Sequence, residues 1–294
     1  MKIAIFGKKF DDAFEACLNE FLLLACSDQN EIFIYKPFYD FIAANTCLKI
    51  HKPVPFLNHS DLPDSIDFFF TFGGDGTFLD AVKFVRNKNI PLIGINTGRM
   101  GFLANIPKNK VSESLHLLFS GKYSVEKRKM IAFDTLDNPF IDFPYGLNEI
   151  TVQKSNNSLI NIYIEVNGIY LHTYYTDGII ISTPTGSTAY SMSAGGPIMT
   201  PDCNALIISP IASHNLSVRP IVIPGEFEIK LTIESRNYKF LATIDSQTAE
   251  MKSGTVIKLA PAPFTINTII FHTHHFFNTI RDKLHWGADI RIIS

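Results

Sequence analysis

The chain has 294 residues, of which 46% are hydrophobic and 18% charged, enough for a sizeable core, and two modest domains are expected at this length. A net charge of −2 and a pI near 6.5 exclude nucleic-acid binding through a broad basic field, so a polyanionic ligand would depend on local N–H groups and a metal ion. The four cysteines lack CxxC spacing and read as reduced thiols, and no apolar run approaches a signal peptide or membrane span, so a cytoplasmic protein is expected.

KIAIFG (2–7) and EIFIY (31–35) read as buried strands. Between them Asp11 and Asp12 open a helix that carries Phe14, Leu18, Phe21, Leu22 and Ala25 on one face. Residues 51–63, with prolines at 53, 55 and 63, read as extended or loop. SIDFFFTF (65–72) is the kind of apolar strand that a parallel sheet covers on both faces. A helix over 77–88, a strand over 91–98 and a helix over 112–121 ended by Gly121 follow. The 25 phenylalanines are scattered and read as core filler. Residues 1–125 are thus expected to form an α/β domain with a mainly parallel sheet.

Strand patterns then take over. LINIYIEV (159–166) and IYLHTYYT (169–176) flank Asn167-Gly168, a strong hairpin signal. FEIKLTIES (227–235) and YKFLATID (238–245) flank a tight turn at Arg236-Asn237, and TVIKLAPA (255–262) adds another strand. Residues 126–270 are expected as an all-β, sandwich-like domain, and 271–294 as a tail with a helix at FFNTIRDKLHW (276–286) that packs back on the first domain.

GGDGT (73–77) follows a predicted strand and opens a predicted helix, the place where open parallel sheets bind ligands. Gly73, Gly74 and Gly76 permit close approach of a ligand, and the helix N-terminus favours an anion. Asp75 can take a proton from a hydroxyl or help position a metal; the plainer alternative is a glycine turn with Asp75 capping the helix. In GLNEI (146–150), Asn148 and Glu149 together supply the donors and acceptors that sugar hydroxyls need, with a solvated turn as the alternative. From Thr176 to Pro197, TDGIIISTPTGSTAYSMSAGGP is dense in small hydroxyl residues and glycines. It suits a close-fitting polar loop around a sugar or base, with Tyr190 offering a ring face, though a structural loop is also open. P-loop, GxGxxG, HExxH and GxSxG signatures are absent.

Taken together and in this order, GGDGT, NTGRMGFLA (96–104), the Asn148-Glu149 pair, TDG and TPTGSTAYSMSAGGPI resemble the NAD kinase family across nearly the whole chain, as does the tail FFNTIRDKLHW. GGDGT alone also occurs in lipid kinases and phosphofructokinases; the serine- and threonine-rich segment separates this family from them. The resemblance implies a kinase that phosphorylates the adenosine-ribose 2′-hydroxyl of NAD, with ATP or polyphosphate as donor and a divalent metal, magnesium by expectation. It implies Asp75 as base with Gly76 beside it, and dinucleotide contacts from Asn148, Glu149 and Asp177. Thr188, Ala189, Tyr190 and Ser193 would surround the adenosine, with Ser191 and Met192 in the same run, and Ala212 and Gln247 would add contacts. NAD is expected between the 73–77 loop and loops of the β-domain, in a homo-oligomer, dimer or tetramer. Tyr175 departs from the small or basic residue that the family often carries two positions before the TDG-type aspartate. The rival readings are a lipid or other small-molecule kinase and a non-catalytic NAD or NADP sensor. HTHH (272–275) reads as alternation on an exposed strand, no protein metal ligands are assigned, and Arg99 stays outside the expected site.

Overall fold

The computed structural model describes residues 1–10, 14–25, 29–98, 101–271 and 276–287. The chain divides into two units, Met1–Lys127 with Ile266–Ser294, and Arg128–Thr265.

The first unit runs β1 (Lys2–Gly7), α1 (Glu15–Ala25), β2 (Glu31–Tyr35), α2 (Lys36–Asn45), β3 (Val54–Phe56), β4 (Phe68–Phe72), α3 (Asp75–Val85), β5 (Leu92–Asn96), β6 (Ile106–Pro107) and α4 (Val111–Phe119). Strands β3-β2-β1-β4-β5 lie side by side and are all parallel. Strand alternation sends the phenylalanines of β4 to both faces. Phe70 and Phe72 meet Phe21 of α1 at ring separations of 4.8 and 4.9 Å, while Phe69 meets Phe56 at 5.9 Å. Helix α2 was not anticipated: it starts at Lys36 directly after β2, with no side-chain cap to announce it, and Pro37 sits in its first turn. Short β3 falls in the stretch read as extended or loop, and pairs with β2 at the sheet edge, where Pro55 is tolerated. Gly121 follows α4 at φ +71°. The predicted Asp11-Asp12 helix start lies outside the described residues.

Strand β7 (Ser124–Asp134) leads into the second unit, which holds β8 (Tyr145–Gly146), β9 (Glu149–Lys154), β10 (Ile160–Val166), β11 (Ile169–Thr176), β12 (Gly178–Ser182), α5 (Tyr190–Ser193), β13 (Ala205–Ile211), β14 (Ile221–Pro224), β15 (Ile229–Ser235), β16 (Lys239–Ile244) and β17 (Gln247–Lys252). The long β18 (Val256–Ile270) pairs with β15 at its start and with β5 at Thr268↔Leu92, and α6 (Phe276–Leu284) follows. One sheet of this unit runs β14-β13-β12-β9-β16-β17, antiparallel throughout. The other sets β11-β10-β15 beside the start of β18. Ile150, Val152, Ile179, Ile181 and Phe240 of the first sheet share one buried cluster with Ile162, Ile164, Leu231, Ile233 and Ile257 of the second, the core of a sandwich.

Asn167 and Gly168 take φ +48° and +75° in the β10–β11 hairpin, the left-handed pair that a two-residue turn requires. The turn between β15 and β16 behaves differently. Its two strands do not pair with each other; β15 joins β10 and β18, and β16 joins β9 and β17, so the chain crosses from one sheet to the other. Among the described residues no helix is long and apolar enough to cross a membrane.

Candidate active site

The order of the parallel sheet places the glycine turn. From β1 the chain builds outward through β2 and β3 on one side and β4 and β5 on the other, so the gap between β1 and β4 is the switch point where such sheets bind ligands. Gly73 and Gly74 follow β4 immediately, Gly74 is the N-cap of α3, and Asp75 is its first residue. A side chain at Gly73 would strike Thr77, so the turn fits only a glycine there.

Asp75 is half-buried, and a neighbouring loop holds its carboxylate through three N–H groups. Oδ2 accepts the N–H of Phe102 at 2.7 Å, and Oδ1 accepts those of Leu103 and Ala104 at 3.0 and 2.9 Å. Gly101 lies so close that a Cβ there would overlap the carboxylate. The first described helix after β18 closes this corner of the unit. Phe276 of α6 meets the Phe102 ring at 6.4 Å, and the Lys283 ammonium stands over the same ring at 4.3 Å. Burial pulls the Lys283 amine down to about 8, with the charge of Asp75 working against that shift. Gly76 is exposed beside Asp75. Arg99 and HTHH (272–275) lie outside the described residues.

In the second unit the expected residues gather along β9. Glu149 starts that strand opposite Ser182, and Gln153 pairs with Gly178 at its far end. Tyr190 reaches both places: its N–H supports the Glu149 carboxylate, and its hydroxyl accepts from Gln153 Nε2 at 2.9 Å. Asp177 adjoins the far end, ion-paired with Lys154 at 2.6 Å, and its N–H donates to the carbonyl of Ile211, the neighbour of Ala212. Ala212 is exposed at φ +47°. Gln247 begins β17, two residues after Asp245.

Asp245 is the member of this group that the sequence reading passed over. Its enclosed carboxylate accepts the N–H groups of Leu147, Asn148 and Glu149 at 2.8, 2.8 and 3.1 Å. Burial is the first cause that raises Glu149 to about 8, and the Asp245 charge is the second. Asp245 itself rises to about 6 through burial, against the lowering effect of the three amides.

The serine- and threonine-rich segment is more structural than its composition implies. Ser182, Thr183, Ser187 and Ser191 are buried. Thr183 Oγ1 donates to the Leu147 carbonyl at 2.5 Å, its N–H donates to the Asn148 carbonyl at 2.9 Å, and Ser187 Oγ donates to Pro184. A Cβ on Gly186 would run into the Asn148 carbonyl group. The Thr183 hydroxyl thus satisfies a carbonyl of the 147–149 loop and the Ser187 hydroxyl one of its own segment, where apolar side chains could not. Ser191 shares a hydrogen bond with Ser209 at 3.1 Å, and its enclosed side chain is not available to a ligand. Thr188, Ala189, Tyr190, Met192 and Ser193 keep partial or full exposure.

The two units match the two domains of one family. Residues 57–123 match the ATP-NAD kinase N-terminal domain and residues 147–270 the ATP-NAD kinase C-terminal domain. The chain belongs to the NAD kinase family. An NAD kinase from Flavobacterium psychrophilum is 40% identical over 294 residues, covering 99% of this chain and 100% of the relative. One from Bacteroides fragilis is 39% identical over 293 residues with the same coverage. Yeast NADH kinase, solved in complex with NADH, has the same fold with a TM-score of 0.87 at 22% identity, over 99% of this chain and 89% of that one. The NAD kinase from Archaeoglobus fulgidus, solved with ATP, reaches 0.71 at 24% identity, over 97% and 99%. Both stretches that define the NAD kinase resemblance, the GGDGT turn and the Thr176–Pro197 segment, fall inside the matched regions. The lipid-kinase and sensor readings find no support in these comparisons.

Proposed function

We propose that this chain phosphorylates the adenosine-ribose 2′-hydroxyl of NAD to give NADP, with ATP as donor and Asp75 as general base. The observation that carries the role of Asp75 is its geometry at the head of α3. A carboxylate offers about four acceptor positions. Three are taken by the amides of Phe102, Leu103 and Ala104, and Oδ2 accepts only one of them. A position on Oδ2 is left for an alcohol, while the three amides keep the group from swinging. In the reaction the ribose O–H gives its proton to Asp75, the oxygen forms a bond to the terminal phosphorus of ATP, and the bond to the ADP oxygen breaks. The first N–H groups of α3 have no partner within the helix by geometry and suit the phosphate charge, as does the ammonium of Lys283.

A divalent ion would be carried by the phosphate oxygens of the nucleotide. Bound there, magnesium would neutralise phosphate charge. Asn148, Glu149, Asp177, Tyr190, Ser193, Ala212 and Gln247 are the residues we assign to the dinucleotide, with Thr188, Ala189 and Met192 lining the same segment. A cytoplasmic location accords with the free thiols of Cys17, Cys47 and Cys203 among the described residues. A homo-oligomer accords with edge strand β11, where Ile169 is 73% exposed and Tyr170 stacks on Tyr163 at 4.8 Å.

The test is incubation with NAD, magnesium and either ATP or polyphosphate. The product is read by an NADP-specific dehydrogenase and by phosphorus NMR. A 2′-phosphate signal with ATP is expected; its absence would overturn the assignment.

A further inference from the structure

Asn148 and Glu149 stand in a loop that one carboxylate holds. Asp245 accepts three consecutive N–H groups from Leu147 to Glu149, and its own N–H returns a bond to the Glu149 carbonyl at 3.1 Å. It does so from φ +48° in the turn between β16 and β17, a backbone conformation that aspartate tolerates better than most residues. Gln247 begins the strand on the other side of that turn. One side chain therefore sets the positions of Asn148 and Glu149, and its turn leads straight into Gln247.

The state of Glu149 points the same way. Its Oε2 is buried and has no hydrogen-bond partner among the described residues. A buried ionised oxygen without a partner is costly, whereas a protonated one needs only an acceptor brought in by a ligand. We propose that Asp245 is a positioning residue of the dinucleotide site: it holds the Asn148–Glu149 pair in place and makes Glu149 meet a ligand oxygen as a hydrogen-bond donor. This rests on the reading of Asn148 and Glu149 as dinucleotide contacts.

The surroundings of Glu149 support it. On the paired strands, β12 sets uncharged Ser182 opposite, and β16 leads into Asp245; α5 contributes the Tyr190 amide. The Lys154–Asp177 ion pair belongs to the far end of β9. Asp245 is thus the charged group that acts on Glu149, and with burial it raises the Glu149 carboxyl to about 8. Near neutral pH Glu149 carries a proton to donate, and the site presents one fewer negative charge to an anionic dinucleotide.

The experiment measures KM for NAD from pH 6.5 to 9.5 in the intact protein and in four variants. In the wild type KM should rise as pH passes about 8 and Glu149 ionises. Asp245→Asn keeps an acceptor but loses the charge. It should raise KM about tenfold, with the effect on KM rather than kcat, and move the pH-dependent rise about one unit lower. Glu149→Gln, whose amide still donates, should bind NAD more tightly than Glu149→Ala at pH 7 and lose the rise. Asp245→Glu, which restores the charge, should return the rise toward its wild-type position. An unshifted rise and unchanged KM in Asp245→Asn would overturn the inference alone. Should that variant fail to fold, equal KM values in Glu149→Gln and Glu149→Ala would overturn it instead. A KM unaffected by Glu149→Ala would remove the dinucleotide reading itself, and the inference with it.

Discussion

Asp75 and Asp245 meet the same structural need in the two units. Each carboxylate accepts three consecutive backbone N–H groups, from Phe102 to Ala104 in one case and from Leu147 to Glu149 in the other. Their settings differ. Asp75 is half-buried at the head of an 11-residue helix, and the charged neighbour that acts with it is the cation Lys283. The carboxylate of Asp245 is enclosed, and its neighbour is a second acid, Glu149. A half-exposed carboxylate with a spare acceptor position can meet substrate. Asp245, beside a second acid, is placed to hold the loop that carries Asn148 and Glu149. On the proposed roles, the same three-amide clasp would serve chemistry in one unit and placement in the other.

The sharpest way to break this contrast is Asp75→Asn. Loss of a positioned general base should lower kcat by about 10² to 10⁴, while KM for NAD moves only a few-fold. Steady-state rates with NADP-specific detection check this; undiminished turnover would leave the two aspartates with the same structural role. Gly101→Ala tests the clasp while leaving the residue at position 75 an aspartate. Its Cβ would occupy the place of Asp75's oxygens, and a displacement on the order of 1 Å should cost about 10²-fold in kcat. Gly186→Ala probes the other clasp. A Cβ there meets the Asn148 carbonyl carbon at 2.5 Å and Ser182 Oγ at 2.6 Å. Displacement of Asn148 should raise KM for NAD about tenfold, and overpacking should cost about 1–3 kcal/mol in denaturant unfolding.

The smallest effect expected is on stability against pH. Glu149 and Asp245 titrate at about 8 and about 6 when folded, above their usual 4.5 and 3.8. The folded state then binds more protons than the unfolded one across that window. Their contribution is therefore complete below about pH 4 and is lost as pH rises toward 8. Thermal melts should show stability falling with pH from this pair, and Glu149→Gln should flatten the upper part of the slope. A slope identical in that variant would show that Glu149 takes no part.

Periodicity carried the regular elements because it depends only on neighbours along the chain. The β4 phenylalanines, the α3 stripe and the Asn167-Gly168 hairpin were all legible in this way. Helix α2 escaped because it begins where β2 ends, without a turn or capping residue to separate them. The β15–β16 turn looked like its hairpin neighbour, but local chemistry cannot say whether two strands pair or part into different sheets. Composition left the Thr176–Pro197 segment open: hydroxyl residues suit a ligand loop and a buried backbone scaffold equally, and only burial separates Ser191 from Tyr190.

By itself the sequence determined the two-part architecture, the glycine turn after an apolar strand, and the family-specific run of motifs, because each is written in contiguous residues. Only the tertiary structure decided which groups answer Asp75 and Asp245. Phe102 lies 27 residues beyond Asp75, and Leu147 lies 98 before Asp245. Hydrogen bonds across such separations exist only once sheets and loops have brought the partners together, and no local pattern encodes them.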